Sequence, residues 1–376
     1  MANILILGGG FGGLIVAERL ASLGAAHQIT LVAPNRKFTF YPALVQLAFG
    51  ACAPEDITFD LEEKLNELDI RFVRGEAIEI DSERRTVQIT GEDLDGEIHY
   101  DYLVIASGRR LATENIPGFF EYAQHLLGTS AALQFGETVG LFRSGNIVVG
   151  MCPGARLPVP VCETAFALAR KFKKEMQDGA VRIKVIFPES PEAAFGGAIL
   201  HKELEAAFRR HGINVLYDVP IREISFEEIF STQKHRIKHD LLMLVPPFEG
   251  QTIVARLGDP AADGEGFARV NGKMQVCGLE KTYAVGDIVA FSGPKFAHMA
   301  VRQASVAADN ILSEIKGEEP RAEYYHEIDT IIDTGGADSI HLHYGIWDET
   351  VFSLKQGTFW GWAKTIHDRA WMARHN

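Results

Sequence analysis

Glycines near the start of the chain have the spacing that lets a backbone approach a phosphate group. They follow an apolar run, Ile4 to Leu7, and satisfy the pattern G-x-G-x-x-G. The first glycine permits a tight turn, the second admits pyrophosphate, and the third lets the next helix pack against the strand. The helix N terminus adds N–H donors and a positive dipole end. We therefore predict a dinucleotide-binding strand, turn and helix over residues 3–24. The residues of this turn are Gly8, Gly10, Phe11, Gly12 and Gly13.

The acidic residue that usually binds the adenosine ribose is missing. It should end the second strand, between Val32 and Asn35, where the chain has no Asp or Glu. Asn35 could take its place as a hydrogen-bonding partner, or it could simply begin the loop. The ribose contact is left open between these two readings.

Two later apolar strands also end in small or polar residues. One runs through YDYLVIASG to residues 106–108, and the other through EKTYAVGD to Gly286 and Asp287. The carboxyl ends of parallel strands meet at one edge of a sheet, so both should lie beside the glycine turn. The Asp287 carboxylate is then a candidate to bind a cofactor hydroxyl, although a turn aspartate is the plainer reading.

A second strand, turn and helix candidate begins at NIVVGMCPGARLPVPVCETAFALA, but its turn is degraded. Cys152 replaces the middle glycine, Pro153 lacks an amide hydrogen, and two further prolines follow where a helix should begin. We predict that this backbone does not hold a pyrophosphate well.

These elements predict an α/β protein with two Rossmann-like dinucleotide-binding domains, each built on a mostly parallel sheet between helices, one inserted in the other. The first domain should comprise residues 1–113 and 246–312, and the second, degenerate domain residues 114–245. A C-terminal α+β appendage should cover residues 313–376.

Composition excludes several function classes. The chain has 376 residues, 47% of them hydrophobic, and a net charge of −13 without a basic block, which argues against nucleic acid. Its four cysteines show no C-x-x-C spacing, so we expect no zinc ribbon or thioredoxin-type site. We expect a cytoplasmic protein, because neither a signal peptide nor a membrane-spanning segment is evident.

The C-terminal segment combines aromatic and basic residues over the length of one helix. Phe359, Trp360, Trp362 and Trp371 accompany basic residues such as Lys364. This pattern suits an amphipathic helix at a membrane interface, and equally a helix that docks on the core or on a second copy in a homo-oligomer. Before it, IHLHYGIWDETVFSL predicts two strands joined by a turn. The H-x-H pair within them, His341 and His343, is expected to be a polar strand face rather than a metal site.

Together these landmarks resemble the sulfide:quinone oxidoreductase and flavocytochrome c sulfide dehydrogenase group of flavoproteins, with type II NADH dehydrogenases as near cousins. The resemblance covers nearly the whole chain. It rests on FTFYPALVQLAFGACAPEDI, on DLLMLVPPFEG, on GPKFAHMAVRQASVAADNI and on LKQGTFWGWAKTIHDRAWM. The spoiled second turn favours the sulfide oxidoreductases, which have lost the NADH loop in the same way.

The resemblance implies FAD as the cofactor, bound without a covalent link because Tyr41 and Pro42 stand where one branch has its flavin-linking cysteine. It also implies that Lys295 lies near the flavin, that Glu163 is a proton relay, and that a C-terminal helix meets the membrane. A small sulfur donor and a quinone would be the partners. The predicted cofactor-binding residues outside the glycine turn are Asn35, Pro42, Ala77, Ala106, Ser107, Gly108, Arg109, Gly286, Asp287 and Lys295.

The chain departs from this family at the two cysteines that perform its sulfide chemistry. Their positions fall on Leu157 and near Thr330. Cys152 and Cys162 are the candidates to replace them, with a thiol pKa lowered by the nearby Arg156, or else they are packed core residues. The predicted function is transfer of two electrons from a sulfur donor through FAD to a quinone. The alternatives are a type II NADH:quinone oxidoreductase and a flavin-binding partner subunit that has lost catalysis.

Overall fold

A five-stranded parallel sheet, the first sheet, carries the glycine turn in its central strand. The computed structural model of the protein describes residues 2–22 and 27–376. The apolar residues Ile4 to Leu7 are at most 2% exposed, because helices or loops cover both faces of this strand. In spatial order, the strands are Thr282–Ala284, Tyr102–Ile105, Asn3–Leu7, Gln28–Ala33 and Arg71–Arg74.

A second parallel sheet, of four strands, is built from the middle of the chain. Its strands, in spatial order, are Asn214–Leu216, Val181–Ile186, Gly145–Met151 and Leu241–Val245. The chain passes between the two sheets at a short antiparallel pair, Arg110–Leu111 with Phe248–Glu249. The two segments in which the chain passes from one sheet to the other are therefore hydrogen-bonded to each other.

Smaller antiparallel sheets lie around these two. One contains Glu76–Asp81, Thr86–Thr90 and Gly96–His99, another Ile221–Ile224, Glu228–Ser231 and Arg236–Lys238, and a third Lys37–Thr39 and Thr58–Asp60. The C-terminal sheet contains Glu327–Ile332, Ile340–Gly345 and Phe352–Gln356.

Four long helices position the candidate site. They are the glycine helix Phe11–Leu20, the central helix Pro158–Lys171, the lysine helix Ala297–Ile315 and the C-terminal helix Thr358–His375. The other helices are Leu44–Ala48, Leu61–Glu67, Phe119–Tyr122, Thr129–Leu141, Lys173–Gln177, Pro191–Ala194, His201–Arg210 and Thr252–Ala255. Single 3₁₀ turns cover Tyr41–Ala43, Pro54–Asp56, Thr113–Asn115 and Gly286–Ile288.

The predicted α/β fold class with parallel sheets is confirmed. The glycine helix follows its strand as expected, and the end of the predicted segment, residues 23–24, lies outside the described residues. The C-terminal sheet has three strands where the sequence indicated two, because Glu327–Ile332 pairs along the whole of Ile340–Gly345.

The expectation that prolines disturb the start of the second helix is wrong. The central helix begins at Pro158 itself and continues through Pro160. Proline is tolerated there because the first amides of a helix have no partner within the helix, so a missing N–H costs no hydrogen bond. The second turn differs from the first in another way. The loop between its strand and its helix is longer than the loop between Leu7 and Phe11.

Candidate active site

The glycine turn is shaped by close backbone contacts that only glycine allows. Gly8 has a φ of +115°, and a Cβ atom there would lie 2.2 Å from the carbonyl oxygen of Ala106. A Cβ atom on Gly13 would lie 1.9 Å from the carbonyl oxygen of Gly8. Gly10 differs, because a Cβ atom there would meet no protein atom within 4 Å. The turn thus presents open space beside Gly10, at the N terminus of the glycine helix, where an anion is favoured.

Polar atoms face this edge of the first sheet without a protein partner. The hydroxyl of Ser107 and the Nε of Arg109 are buried and make no hydrogen bond in the protein. Arg109 forms an ion pair with Asp287, and its guanidinium lies 4.2 Å from the ring centre of Phe248. Buried polar atoms normally have partners. These orphaned atoms and the open glycine turn fit a bound dinucleotide such as FAD.

Other predicted cofactor-binding residues lie at the same end of the sheet. Ala106 is buried, and Gly108 has a φ of +68°. Gly286 donates its N–H to the side-chain oxygen of Gln303 at 2.7 Å, a contact from the lysine helix that sequence analysis did not predict. Asn35 is exposed in the loop that follows the strand Gln28–Ala33. Pro42 lies in the 3₁₀ turn Tyr41–Ala43 and Ala77 in the strand Glu76–Asp81.

A narrow cavity next to Asp287 contains the buried side chain of Lys295. Its lining includes Asp287, Phe291, Lys295, Met299, Gln303 and His326. The ammonium of Lys295 donates to the carbonyl of Val289, and its backbone N–H donates to the carbonyl of Arg156 at 2.8 Å. Burial, together with the charge of Arg156, lowers the pKa of Lys295 to about 7. A group with this pKa can exchange a proton near neutral pH.

The second turn uses its own backbone amides internally. The N–H of Cys152 donates to the carbonyl of Val245 at 2.9 Å, and that of Ala155 donates to the carbonyl of Cys152 at 3.1 Å. Arg156 donates from Nε to the carbonyl of Gly293 at 2.7 Å. These donors are therefore not available to a second pyrophosphate. Through hydrogen bonds of Arg156, the loop instead connects the second sheet to the segment that contains Gly293 and Lys295.

The prediction of a lowered thiol pKa is wrong. Cys152 and Cys162 are completely buried, and they pack in two separate hydrophobic clusters. Burial raises the pKa of both thiols. The sequence interpretation relied on Arg156, but that side chain reaches across to Gly293 instead. An accessible thiolate is the reactive form, so burial counts against a catalytic role for either thiol, and that role stays a prediction.

Glu163 lies between the segment that contains Leu157 and the segment that contains Thr330, the two positions at which the resemblance expects cysteine. It lies on the central helix, six residues after Leu157, and its carboxylate accepts a hydrogen bond from the backbone N–H of Asp333 at 2.9 Å. Asp333 directly follows the strand Glu327–Ile332, which contains Thr330. Glu163 also forms a buried ion pair with Lys364 of the C-terminal helix. Sequence analysis identified both ion-pair residues but not their pairing.

Burial determines the titration of this pair. Burial raises the pKa of Glu163, and the attraction of Lys364 offsets it only in part. Burial opposes the charge of Lys364, yet the Glu163 and Asp368 carboxylates raise its pKa above the ordinary value. Both groups therefore bind a proton more tightly than they would in water.

The C-terminal helix docks on the body along one face and exposes aromatics on the other. Trp371 packs between Phe11, Phe38 and Phe40 at ring-centre distances of 4.9–5.3 Å. Phe359 and Trp362 are 58% and 63% exposed. Both of the arrangements that the sequence left open, a docked helix and an exposed apolar face, are therefore present in one helix.

The histidines of the C-terminal sheet pair with acids on the neighbouring strand. His341 lies 2.8 Å from the Asp329 carboxylate, and His343 lies 3.3 Å from that of Glu327. Trp360 stacks on His341 at 4.2 Å between ring centres. Over residues 2–22 and 27–376, no set of three His, Cys, Asp or Glu side chains has an arrangement that could hold a metal ion.

Comparison with known proteins shows which proteins this chain resembles. Residues 2–151 match the family model described as pyridine nucleotide-disulphide oxidoreductase. The sulfide-quinone reductase of Aquifex aeolicus is 29% identical over 339 residues, which cover 84% of this chain and 77% of that protein. The X-ray structure of the sulfide:quinone oxidoreductase from that bacterium superposes with a TM-score of 0.92 at 25% identity, over 100% of this chain and 91% of that one. In sequence and in fold, the chain is similar to sulfide:quinone oxidoreductases.

The likeness to NADH-dependent relatives is weaker. The structure of NDH2 from Plasmodium falciparum in complex with NADH covers 100% of this chain and 97% of that one, but with a TM-score of 0.74 and 15% identity. That likeness shows the shared fold. In this chain, two backbone amides of the second turn, those of Cys152 and Ala155, are bonded within the protein.

Proposed function

We propose that the protein binds FAD non-covalently and transfers two electrons from a small sulfur donor to a quinone. The observation that carries this proposal is the contrast between the two turns. The first is open beside Gly10, whereas in the second Pro153 has no amide hydrogen and the amides of Cys152 and Ala155 are bonded within the protein. A single working dinucleotide site suits FAD better than NADH. We also propose three domains: a FAD-binding domain of residues 1–113 and 246–312, a second, degenerate domain of residues 114–245, and a C-terminal appendage of residues 313–376.

In this proposal the residues around the first sheet hold the cofactor. The amides at the start of the glycine helix would bind the pyrophosphate, and Ser107, Arg109 and Asp287 would bind polar atoms along the cofactor. FAD supplies reversible two-electron chemistry when it is bound. Lys295, buried in the adjoining cavity, holds an exchangeable proton and places positive charge beside that site.

Glu163 is proposed as a proton carrier for the same reaction. Oxidation of hydrosulfide to zero-valent sulfur gives up two electrons and a proton, while reduction of a quinone to a quinol takes up two electrons and two protons. One further proton must therefore enter from solvent. Glu163 and Lys364 form a buried ion pair, and a buried carboxylate of raised pKa beside a lysine is placed to accept a proton and pass it on.

The identity of the donor is tested by anaerobic mixing of the flavin-loaded protein with sulfide or with NADH. We expect sulfide to bleach the flavin absorbance and NADH to leave it unchanged. Replacing both buried cysteines, in the double variant Cys152→Ala and Cys162→Ala, should change the sulfide rate by no more than about twofold, because neither thiol is accessible.

Each other outcome selects an alternative. Rapid bleaching by NADH would contradict our interpretation of the second turn and favour an NADH:quinone oxidoreductase. Loss of sulfide bleaching in a folded double-cysteine variant would restore the thiol role. Bleaching by neither donor would favour the flavin-binding partner subunit, which the non-cysteine residues Leu157 and Thr330 at the family's redox positions also suggest.

We propose that the exposed face of the C-terminal helix holds the protein at a membrane surface. No helix among the described residues has the length and apolar character needed to cross a bilayer. Phe359, Trp362 and Ile366 are 58%, 63% and 45% exposed and recur at helical spacing, which suits insertion at headgroup depth. Contact there would put the acceptor side of the protein at the inner face of the cell membrane.

Changing Phe359 and Trp362 together to serine is expected to weaken binding to vesicles of anionic phospholipid about tenfold or more, since each buried aromatic contributes about 1.5–3 kcal/mol. Vesicle co-sedimentation measures this. Phe120→Ser is the matched control, because Phe120 is 89% exposed on a different helix. Equal loss in both variants, or loss in neither, would contradict the proposed membrane face.

A further inference from the structure

Ionisable side chains of the C-terminal helix lie in a row between solvent and the central helix. The His367 side chain is 73% exposed, and its Nδ1 lies 3.5 Å from the carboxylate of Asp368. Asp368 is only 8% exposed and lies one helical turn after Lys364. Lys364 in turn forms the buried ion pair with Glu163. His367 is therefore next to Asp368 and Lys364 next to Glu163, while Asp368 and Lys364 lie one helical turn apart, within electrostatic reach of each other but without a hydrogen bond.

One carboxylate oxygen in the row is unusual. Oδ2 of Asp368 is buried and has no hydrogen-bonding partner in the protein, while Oδ1 faces His367. A buried carboxylate oxygen without a partner costs folding free energy, and a mere helix-surface ion pair would not need it. A carboxylate that alternately binds and releases a proton does need a free oxygen.

We propose that His367 and Asp368 form the entry of a proton path that continues through Lys364 to Glu163. This inference deepens the function proposed above and rests on it, since the path would supply the further proton that quinone reduction consumes. The steps are proton transfers only. Lys364 gives a proton to the Glu163 carboxylate, Asp368 protonates Lys364 again, the His367 imidazolium protonates Asp368, and solvent protonates His367.

The charged groups around the path favour uptake of a proton at His367. Hydrogen bonding to Asp368, with a further contribution from Asp329 of the C-terminal sheet, raises the pKa of His367, so that the entry group is readily loaded. Asp333, at the end of that sheet's first strand, faces Glu163 and Lys364. His298 of the lysine helix also lies within electrostatic reach of His367, and its pKa is lowered to about 4, so it stays neutral.

The test measures reoxidation by quinone separately from reduction by any donor. Flavin-loaded protein is photoreduced and then mixed with a short-chain quinone in a stopped-flow instrument between pH 6 and pH 9. His367→Gln and Asp368→Asn should each slow reoxidation about tenfold or more at the alkaline end, and imidazole added to the buffer should restore most of the His367→Gln rate. His99→Gln and Asp95→Asn, at exposed positions distant in the chain, serve as matched controls and should behave like the unchanged protein.

A second measurement does not depend on turnover. Histidine NMR titration should show the pKa of His367 falling in Asp368→Asn. Equal reoxidation rates in all five proteins at every pH, or slowing of His367→Gln that imidazole does not relieve, would overturn the path. If quinone fails to reoxidise even the unchanged protein, the proposed acceptor is wrong. Proton uptake during photoreduction, followed with a pH-indicator dye, then decides: delayed uptake in Asp368→Asn supports the path, and undelayed uptake overturns it.

Discussion

Replacing Gly10 with alanine is expected to remove bound flavin while leaving the apoprotein at least as stable as before. The new methyl group meets no protein atom within 4 Å, and Gly10 already has φ −83° and ψ −167°, which alanine adopts without strain. Alanine at such a site changes stability by about +0.4 to +1 kcal/mol through the unfolded chain. The methyl group would instead occupy the space that the pyrophosphate needs.

The comparison with Gly13→Ala makes this prediction specific. There a Cβ atom would lie 1.9 Å from the Gly8 carbonyl oxygen, so the backbone must shift, at a cost of about 1–3 kcal/mol. Flavin absorbance per protein and urea unfolding of the apoprotein measure both effects. We expect Gly10→Ala to lose flavin about tenfold or more, corresponding to at least about 1.4 kcal/mol of binding, with no loss of stability. Full flavin content in Gly10→Ala would show that the cofactor does not lie over this turn.

Changing Lys364 to methionine is expected to lower the free energy of unfolding by about 3–5 kcal/mol near pH 8, because it leaves the Glu163 carboxylate buried without its cation. The side chains of Glu163 and Lys364 are only 7% and 12% exposed, so solvent does not replace the lost partner. The exposed Lys202→Met is the matched control and should stay within about 0.5 kcal/mol of the unchanged protein.

The loss in Lys364→Met should depend on pH in a defined direction. Burial raises the folded-state pKa of Glu163 above its unfolded value of about 4.3. A group of this kind contributes its stabilisation below the unfolded pKa and loses it as pH rises through the folded pKa. Urea unfolding should therefore show a small deficit at pH 4–5 that grows toward pH 8. Adding Glu163→Gln should recover much of it, and a deficit independent of pH would contradict the buried charge as its cause.

Features that depend on local sequence were predictable here. The glycine turn follows from spacing within six residues, and the meeting of Gly8, Ala106 and Asp287 at one sheet edge follows from parallel strand order. The central helix shows where a local rule misleads. Proline ends helices in their interior, but Pro158 and Pro160 lie in the first turn, where the same residue is harmless.

Features that depend on tertiary packing were not predictable. With 37 Lys and Arg and 50 Asp and Glu in the chain, no pattern indicates that Glu163 pairs with Lys364, 201 residues later. The prediction of a lowered thiol pKa failed for the same reason. Arg156 is close to Cys152 and Cys162 in sequence, but its guanidinium binds backbone carbonyls of the segment 291–293, while the thiols pack into apolar clusters.

The C-terminal helix joins the end of the chain to its beginning, since His375 bonds to the Glu18 carboxylate across 357 residues. During translation these contacts form only after the last residues have left the ribosome. Until then Phe11, Phe38 and Phe40 lack their cover of Trp371, and Glu163 lacks its cation. The nascent protein therefore passes through a stage with an uncovered aromatic surface and an uncompensated buried acid. Docking of the C-terminal helix therefore covers the aromatic surface and compensates the buried acid together, and a stop codon before Lys364 would remove both.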